Sequence, residues 1–353
     1  MNQNNLKIIR DYLLGWLIAS LIWQLLWTTD RVQENALEAT FNGRVTVFLL
    51  GWLFQGIGFS ILHLFIDRYI KGRVLFIKLV AYTLTLQLFT GITLITSIFY
   101  LLRLIEIIGP EASFSQFIEQ IIVRVAIIYA LLVNFSIVLF IYINRMLGKG
   151  NLWRMITGKF YTPRVEEMIF MFLDLRGSTT IAEELGHVTY SRLIQDCFYD
   201  LAVVHDFKAE IYQYVGDEAV LVWRAQDGLE SNNCILTFYA FLDQINSRSD
   251  YYKANYNMVP EFKAGVNMGK VTVTEVGEYK REIAYHGDAI NTAARIQGQC
   301  NRLGSNLLIS EIVLNSLKLD KYISADLKGE MKLRGKIESI NIYSIEKKSY
   351  EPV

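Results

Sequence analysis

Phe172-Leu173-Asp174-Leu175-Arg176-Gly177-Ser178-Thr179 is an apolar run that ends in a carboxylate, a glycine and two hydroxyl residues. The run predicts a strand over residues 168–173, and the glycine predicts a turn straight after it. A second stretch, Tyr214-Val215-Gly216-Asp217-Glu218, repeats the arrangement of an apolar strand, a glycine and a carboxylate. A strand-end aspartate beside a glycine turn suits a divalent metal holding a polyphosphate. The carboxylate binds the ion, and the N–H groups of the turn face phosphate oxygens. Two such aspartates on neighbouring strands point to two metals and phosphoryl-transfer chemistry.

Around these stretches the pattern alternates. Helices are expected over 180–185, 189–205 and 234–245. A hairpin is expected from strands 210–214 and 219–223, turning at 215–218. Strands follow over 262–267 and 271–275, a helix opens at Asp288 and runs to about residue 300, and a strand over 339–345 ends the pattern. This alternation predicts an α/β sandwich, one mixed sheet covered by helices.

The first 143 residues differ in kind. Mean hydropathy over the chain is +0.25, and the excess sits in four apolar runs, residues 12–27, 45–66, 74–102 and 121–143. A bilayer-spanning helix needs about 20 mostly apolar residues, so a four-helix transmembrane bundle is expected, giving an α+β chain overall. Basic residues dominate the N-terminus (Lys7, Arg10), the second loop (Arg68, Lys71, Arg73) and the exit (Arg145, Lys149, Arg154). The positive-inside rule then places both termini in the cytoplasm of a multi-pass inner-membrane protein. His63, Lys78, Gln87, Arg124 and Asn134 lie within the runs and read as bundle hydrogen-bonders and snorkelling cations rather than as a ligand site. The domain reading is a membrane domain over 1–145, a transducing linker over 146–165, a catalytic domain over 166–346 and a tail over 347–353.

The 35 Lys and Arg balance the 35 Asp and Glu, which argues against nucleic acid as a partner. The three cysteines are scattered and suit reduced thiols in a cytosolic domain; none has zinc-ligand spacing.

A third feature decides among phosphoryl-transfer readings. After His286-Gly287-Asp288 a helix carries Asn291 and Arg295, four apart and so on one face. An amide and a guanidinium aimed together can hold a ribose and a phosphate. Taken in order, Phe172-Leu173-Asp174-Leu175 with Thr179, Val215-Gly216-Asp217, the glycine-bearing strand over 262–269, and Gly287-Asp288-Ala289-Ile290-Asn291 with Ala293-Ala294-Arg295 resemble the class III nucleotidyl cyclases, the adenylate and guanylate cyclase catalytic domain. Arg334-Gly335-Lys336 sits where that family has a phosphate-binding Lys-Gly-Lys.

The resemblance implies a membrane-bound cyclase making a 3′,5′-cyclic nucleotide and pyrophosphate from ATP or GTP. Asp174 and Asp217, with the Leu175 carbonyl, would hold two Mg²⁺ or Mn²⁺ ions per site. Backbone amides from Arg176 through Gly177 and Ser178 to Thr179 would cradle phosphates. Arg334 and Lys336 would bind the terminal ones. Arg295 would stabilise charge at the α-phosphate, and Asn291 would orient the ribose. The family's sites form between two head-to-tail subunits, so a homodimer with two equivalent sites is implied. The base-reading positions hold Gln213 and Ala284, which match neither the adenine pair nor the guanine pair of the family. Adenine, and so cAMP, is favoured only by its frequency in the family. A guanylate or relaxed-specificity cyclase, a diguanylate cyclase and an inactive membrane-bound dimerisation module are the alternatives.

Overall fold

The structure is a computed structural model that describes residues 3–29, 41–70, 76–104, 109–119, 121–148, 151–279, 281–332 and 339–347. The chain divides into two compact units between Met146 and Leu147.

The first unit is helical: α1 (Gln3–Thr29), α2 (Phe41–Ile70), α3 (Phe76–Leu104), the short α4 (Phe114–Glu119) and α5 (Ile121–Leu147). Among the described residues three stretches are long and apolar enough to cross a membrane, Asn5–Leu25, Val80–Leu101 and Arg124–Leu147. The second helix contributes the shorter apolar stretch Trp52–Ile66, so the count of four spans expected from the sequence rests on three of full length here. The helices pack closely. A Cβ at Gly56 would come within 3.3 Å of the Leu13 backbone, and Trp16 stacks on Phe59. Some of their polar groups bond across helices, whereas buried Asn134, expected to hydrogen-bond within the bundle, has neither side-chain amide atom partnered among the described residues. His63 Nδ1 lies 3.2 Å from the Tyr12 hydroxyl, and Gln87 Nε2 donates to the Ala130 carbonyl at 2.6 Å. Lys78 and Arg124 lie near helix starts and are exposed. The loop charges at 30–40 and 71–75 lie outside the described residues.

The second unit opens with α6 (Asn151–Ile156), followed by β1 (Arg164–Leu175), α7 (Ser178–Asp200), a 3₁₀ stretch over Leu201–Phe207, β2 (Glu210–Val215) and β3 (Glu218–Arg224). Then come α8 (Ala225–Leu229), α9 (Asn233–Ser247), α10 (Ser249–Tyr256), β4 (Phe262–Val276), β5 (Glu282–His286), α11 (Asp288–Gly298) and α12 (Cys300–Leu303). β6 (Leu307–Ser310), α13 (Glu311–Ser316), β7 (Ile323–Lys332) and β8 (Ser339–Lys347) complete it. The strands form one mixed sheet in the order β2-β3-β1-β4-β6-β8-β7, with β5 paired to the far half of β4.

β1 is the central strand and is apolar on both faces because helices cover both. Ile169, Met171, Leu173 and Leu175 join a core with α7, α9 and α10, while Met168 and Phe170 join a second core with Ala289 and Ala293 of α11. Asp174 falls in the second set by the two-residue alternation of a strand, which turns it toward α11. α11 lies unusually close to the sheet. A Cβ on Gly265 would stand 2.2 Å from the Gln297 backbone nitrogen, and one on Gly269 would stand 3.0 Å from the Ala289 Cβ. Only glycine permits that approach, and Asn267 adds a hydrogen bond to the Ala289 carbonyl at 3.0 Å.

Several elements differ from the sequence reading. The helices expected over 180–185 and 189–205 are one helix kinked at Gly186, where φ is 73°, followed by the 3₁₀ stretch. The two strands expected over 262–267 and 271–275 are a single 15-residue strand, because Gly269 serves helix packing rather than a turn. β5, β6, β7 and α10 add to the elements that the sequence pattern predicts. Residues ahead of the expected domain start at 166 also pack on the sheet. Phe160 is buried, its carbonyl accepts from the Glu275 N–H at 2.9 Å, and Arg154 of α6 makes a two-pronged ion pair with Glu210 of β2 at 3.0 and 3.1 Å.

Candidate active site

β1 pairs antiparallel with β3, and the register sets Asp174 opposite Glu218. Asp217 is therefore next to that pair, in the two-residue turn Gly216-Asp217 that joins β2 to β3. Gly216 has φ 63°, the backbone that such a tight hairpin needs and that a side chain disfavours. Both aspartates thus meet at one end of neighbouring strands.

Directly after β1, Gly177 adopts φ 69° and turns the chain into α7, whose first residues are Ser178 and Thr179. A cavity of about 370 Å³ opens there, lined by Asp174, Leu175, Gly177, Ser178, Thr179, Thr180, Lys263 and Asn301. A helix N-terminus opening into such a space offers free N–H groups to anions. Arg176 does not join them. Its N–H donates to the Glu261 carbonyl at 2.8 Å and its guanidinium to Asn306 Oδ1 at 2.6 Å, so the expected cradle starts at Gly177.

Asp174 does not stand free. Lys263 Nζ lies 3.2 Å from its Oδ2, and Gln297 Nε2 donates to the same oxygen at 2.8 Å. Burial raises the Asp174 carboxyl above the ordinary aspartate range; the Lys263 contact opposes this and the Asp217 charge adds to it. Glu218 is pushed up to about 7 by burial, and then by the charges of Asp174 and Asp217. The donor set suits a hard divalent cation: two carboxylates, a strand-end carbonyl at Leu175 and a cavity. The Lys263 ammonium on Asp174 is a stand-in cation at the oxygen a metal would use.

α11 presents two faces. Ala289, Ala293, Ile296 and Gln297 are buried against the sheet. At 3.6 residues per turn, Arg295 falls on the side of α11 opposite Gln297, which touches Asp174, and Asn291 falls about a third of a turn from Gln297. Asn291 is exposed, and Arg295 carries a buried Nη1 with no hydrogen-bond partner among the described residues. A buried orphan donor is rare and calls for an acceptor. Within one chain, then, Asn291 and Arg295 fall on a different side of α11 from the residue that touches Asp174. Gln213 is exposed on the edge strand β2, and Ala284 lies on β5 opposite Thr274. Arg334 and Lys336 lie outside the described residues.

The profile of the adenylate and guanylate cyclase catalytic domain family matches residues 160–347, more than half of the chain. The chain belongs to this family. It is similar to adenylate cyclase 2 of Rhizobium meliloti (strain 1021), with 30% identity over 220 residues, 62% of this chain and 61% of that protein. It is also similar to an adenylate cyclase of Anabaena cylindrica, with 27% identity over 187 residues, 50% of this chain and 36% of that one. The chain therefore spans less than two thirds of the length of these relatives. A solved structure of a bacterial light-regulated adenylyl cyclase shares the fold, with a TM-score of 0.54 and 18% identity over 66% of each chain. The family match sets aside the diguanylate-cyclase alternative.

Three residues at this site had no role in the sequence reading: Glu218, Lys263 and Gln297. Each left a signal. Glu218 stood inside the second quoted motif. Lys263 interrupts an apolar strand, and Gln297 falls on the buried face of α11; a polar residue at either position needs a partner.

The raised Glu218 carboxyl has a consequence for stability. A carboxyl that binds its proton more tightly in the folded than in the unfolded protein makes the folded state less stable as pH rises between the two values. The metal-free protein is therefore expected to lose melting temperature from its ordinary value of 4.5 up to about 7. Glu218→Gln should shrink that loss. Thermal melts in EDTA at pH 5 and pH 8 check it, and an undiminished loss in the variant would reject the assignment.

Proposed function

We propose that the protein is a membrane-anchored nucleotidyl cyclase that converts a nucleoside triphosphate, ATP by preference, to its 3′,5′-cyclic monophosphate and pyrophosphate at a homodimer interface. The observation that carries this reading is the meeting of Asp174 and Asp217 at the ends of adjacent strands, beside the helix-opening turn Gly177–Thr179. The ribose 3′-oxygen attacks the α-phosphorus, its proton departs, and the bond to pyrophosphate breaks. Asp174, Asp217 and the Leu175 carbonyl would hold two Mg²⁺ or Mn²⁺ ions, which supply Lewis-acid stabilisation and lower the pKa of the 3′-hydroxyl. The amides of Gly177, Ser178 and Thr179 cradle phosphate oxygens, with Arg334 and Lys336 assigned to the terminal phosphates. Arg295 spreads positive charge over the α-phosphate in the transition state, and Asn291 orients the ribose.

The opposed faces of α11 support the dimer. The Asn291 and Arg295 of one chain complete the aspartate site of a second, and the orphan Arg295 Nη1 gains an acceptor when substrate is there. Gln213 and Ala284 would face the base. A glutamine amide donates or accepts and alanine does neither, so ATP is favoured on the names of the relatives rather than on these two side chains. Incubating the purified full-length protein with Mn²⁺ and either ATP or GTP, with products identified by mass spectrometry, tests the reading. Cyclic AMP as main product supports it, cyclic GMP as main product reverses the base preference, and no cyclic product from either substrate leaves an inactive module.

The membrane part of the proposal covers residues 1–145, with 146–165 as the segment that couples them to the catalytic part at 166–346 and a tail at 347–353. Its support is the set of three long apolar helices, and the docking of Arg154 and Phe160 on β2 and β4 for the coupling segment. Reporter fusions after Gly150 should read as cytoplasmic and those near Ala112 as external; the reverse pattern rejects the topology.

A further inference from the structure

Gln213 and Ala284, the positions assigned to the base, lie on strands that are not neighbours. In the sheet β3, β1 and β4 stand between β2 and β5, so a change in sheet twist alters their separation. Two connections span that gap directly. The first is aromatic. Tyr212 is the extra residue of a bulge in β2, between Ile211 and Gln213, and a bulge re-aims a side chain. Its ring meets Tyr285, the neighbour of Ala284, edge to face at 4.9 Å, and Tyr285 meets Phe170 of β1 at 5.5 Å. The second connection is the segment ahead of β1. Arg154 of α6 holds Glu210, on the same strand as Gln213, by two hydrogen bonds of 3.0 and 3.1 Å. Further on, the Phe160 carbonyl accepts from the N–H of Glu275, which adjoins Thr274, the cross-strand partner of Ala284. The Arg154 guanidinium also lies over the Phe160 ring, 5.9 Å from its centre, so the two anchors touch. Burial pushes the Tyr285 hydroxyl above the ordinary tyrosine range; the Glu210 charge adds to the rise and the Arg154 charge opposes it. Ring and ion pair therefore share one environment.

We infer that Arg154 is a positioning residue for the base: the linker holds β2 through Glu210 and the β4–β5 hairpin through Glu275, and so fixes the gap in which a purine is gripped. The inference rests on the proposed base-contacting role of Gln213 and Ala284. Arg154 lies ahead of the residues that the family profile matches, 160–347, so the grip belongs to this chain's linker. The pair is built to hold position. It is two-pronged, and its side chains are only 19% and 29% exposed. A pocket whose walls are spaced in advance needs no ordering when the base enters. If the walls held the right spacing only a tenth of the time, apparent affinity would fall about tenfold. The turn assigned to phosphate, Gly177–Thr179, follows the other end of β1 from the linker, so phosphate binding should be indifferent to Arg154. A purely structural ion pair predicts something different: loss of Arg154 would weaken every ligand together.

The test uses the full-length protein in nanodiscs with saturating Mn²⁺ and reads equilibrium binding by calorimetry. The ligands are the 3′-deoxy analogues of ATP and GTP, which cannot cyclise, and inorganic tripolyphosphate, which carries no base. Arg154→Met should weaken whichever nucleotide the wild type binds on the order of tenfold and leave tripolyphosphate within about twofold. Arg154→Lys, which keeps the charge but not the two-pronged geometry, should fall between. Arg154→Glu should weaken the nucleotides as Arg154→Met does, and adding Glu210→Arg should recover most of that loss; this swap stands in if Arg154→Met does not fold. Nucleotide affinity within about twofold of wild type in Arg154→Met overturns the inference. Equal weakening of nucleotides and tripolyphosphate overturns it too, and so does a swap that recovers nothing. Gln213→Leu combined with Ala284→Leu separates the two layers. If that variant binds nucleotides as the wild type does, the base role of the two positions fails and this inference falls with it. If it loses nucleotide affinity while Arg154→Met does not, only the inference fails.

Discussion

Asp174→Ala and Asp217→Ala should each lower cyclase turnover by on the order of a thousandfold or more, in Mg²⁺ and in Mn²⁺ alike. The two residues occupy matching positions at one end of β1 and in the β2–β3 turn, so neither has a substitute at hand. The folded protein should survive the change. Asp217 sits in a turn, and removing Asp174 relieves a half-buried like-charge cluster with Asp217 and Glu218 even as it strands Lys263. The measurement is initial-rate product formation, alongside circular dichroism and a sizing experiment. Turnover within tenfold of wild type in either variant would refute the metal assignment.

Arg295→Ala should cost about a thousandfold or more, the range seen when an arginine that stabilises phosphoryl-transfer charge is removed. Its more telling result comes on mixing. Within one chain Arg295 falls on the side of α11 away from Gln297, which touches Asp174, so in the proposed head-to-tail dimer the two would serve different sites. A heterodimer of Asp174→Ala with Arg295→Ala then has one site with both lesions and one with neither. Random pairing of equal amounts gives half heterodimers, each with one working site of two. About a quarter of wild-type activity should therefore return from two inactive proteins. Heterodimers shown to form by differential tagging, yet without recovered activity, would rule out the shared site.

The sheet with its helices was legible because its central strands are apolar runs cut by glycine turns, which identify themselves locally. Asp174, Asp217, Asn291 and Arg295 each sit in a short motif, so the sequence offers them as candidates for the same reason. What escaped was set by distant contacts. Whether Gly269 breaks β4 or makes room for Ala289 depends on a helix twenty residues further on. Gly186 kinks a helix instead of separating two. Lys263 and Gln297 gain their meaning from one oxygen of Asp174, about ninety and more than a hundred residues away in the chain. The Arg176 amide was assigned to phosphate from its place in the motif, but the Glu261 carbonyl, brought over by the β1–β4 pairing, takes it.

The placement of Gln213 and Ala284 bears on how such a protein diversifies. Asp174 belongs to the middle of the sheet, on a strand paired on both sides, and Asp217 to the tight turn beside it. The two positions assigned to the base belong to its margins: β2 has a neighbour on one side only, and β5 hangs from the far half of β4. Under the proposed roles, substitutions there would disturb few contacts and could alter base preference while leaving Asp174 and Asp217 in place. If the proposed activity holds, a chain with neither of the family's pairs at those margins is a natural starting point for laboratory selection toward either nucleotide.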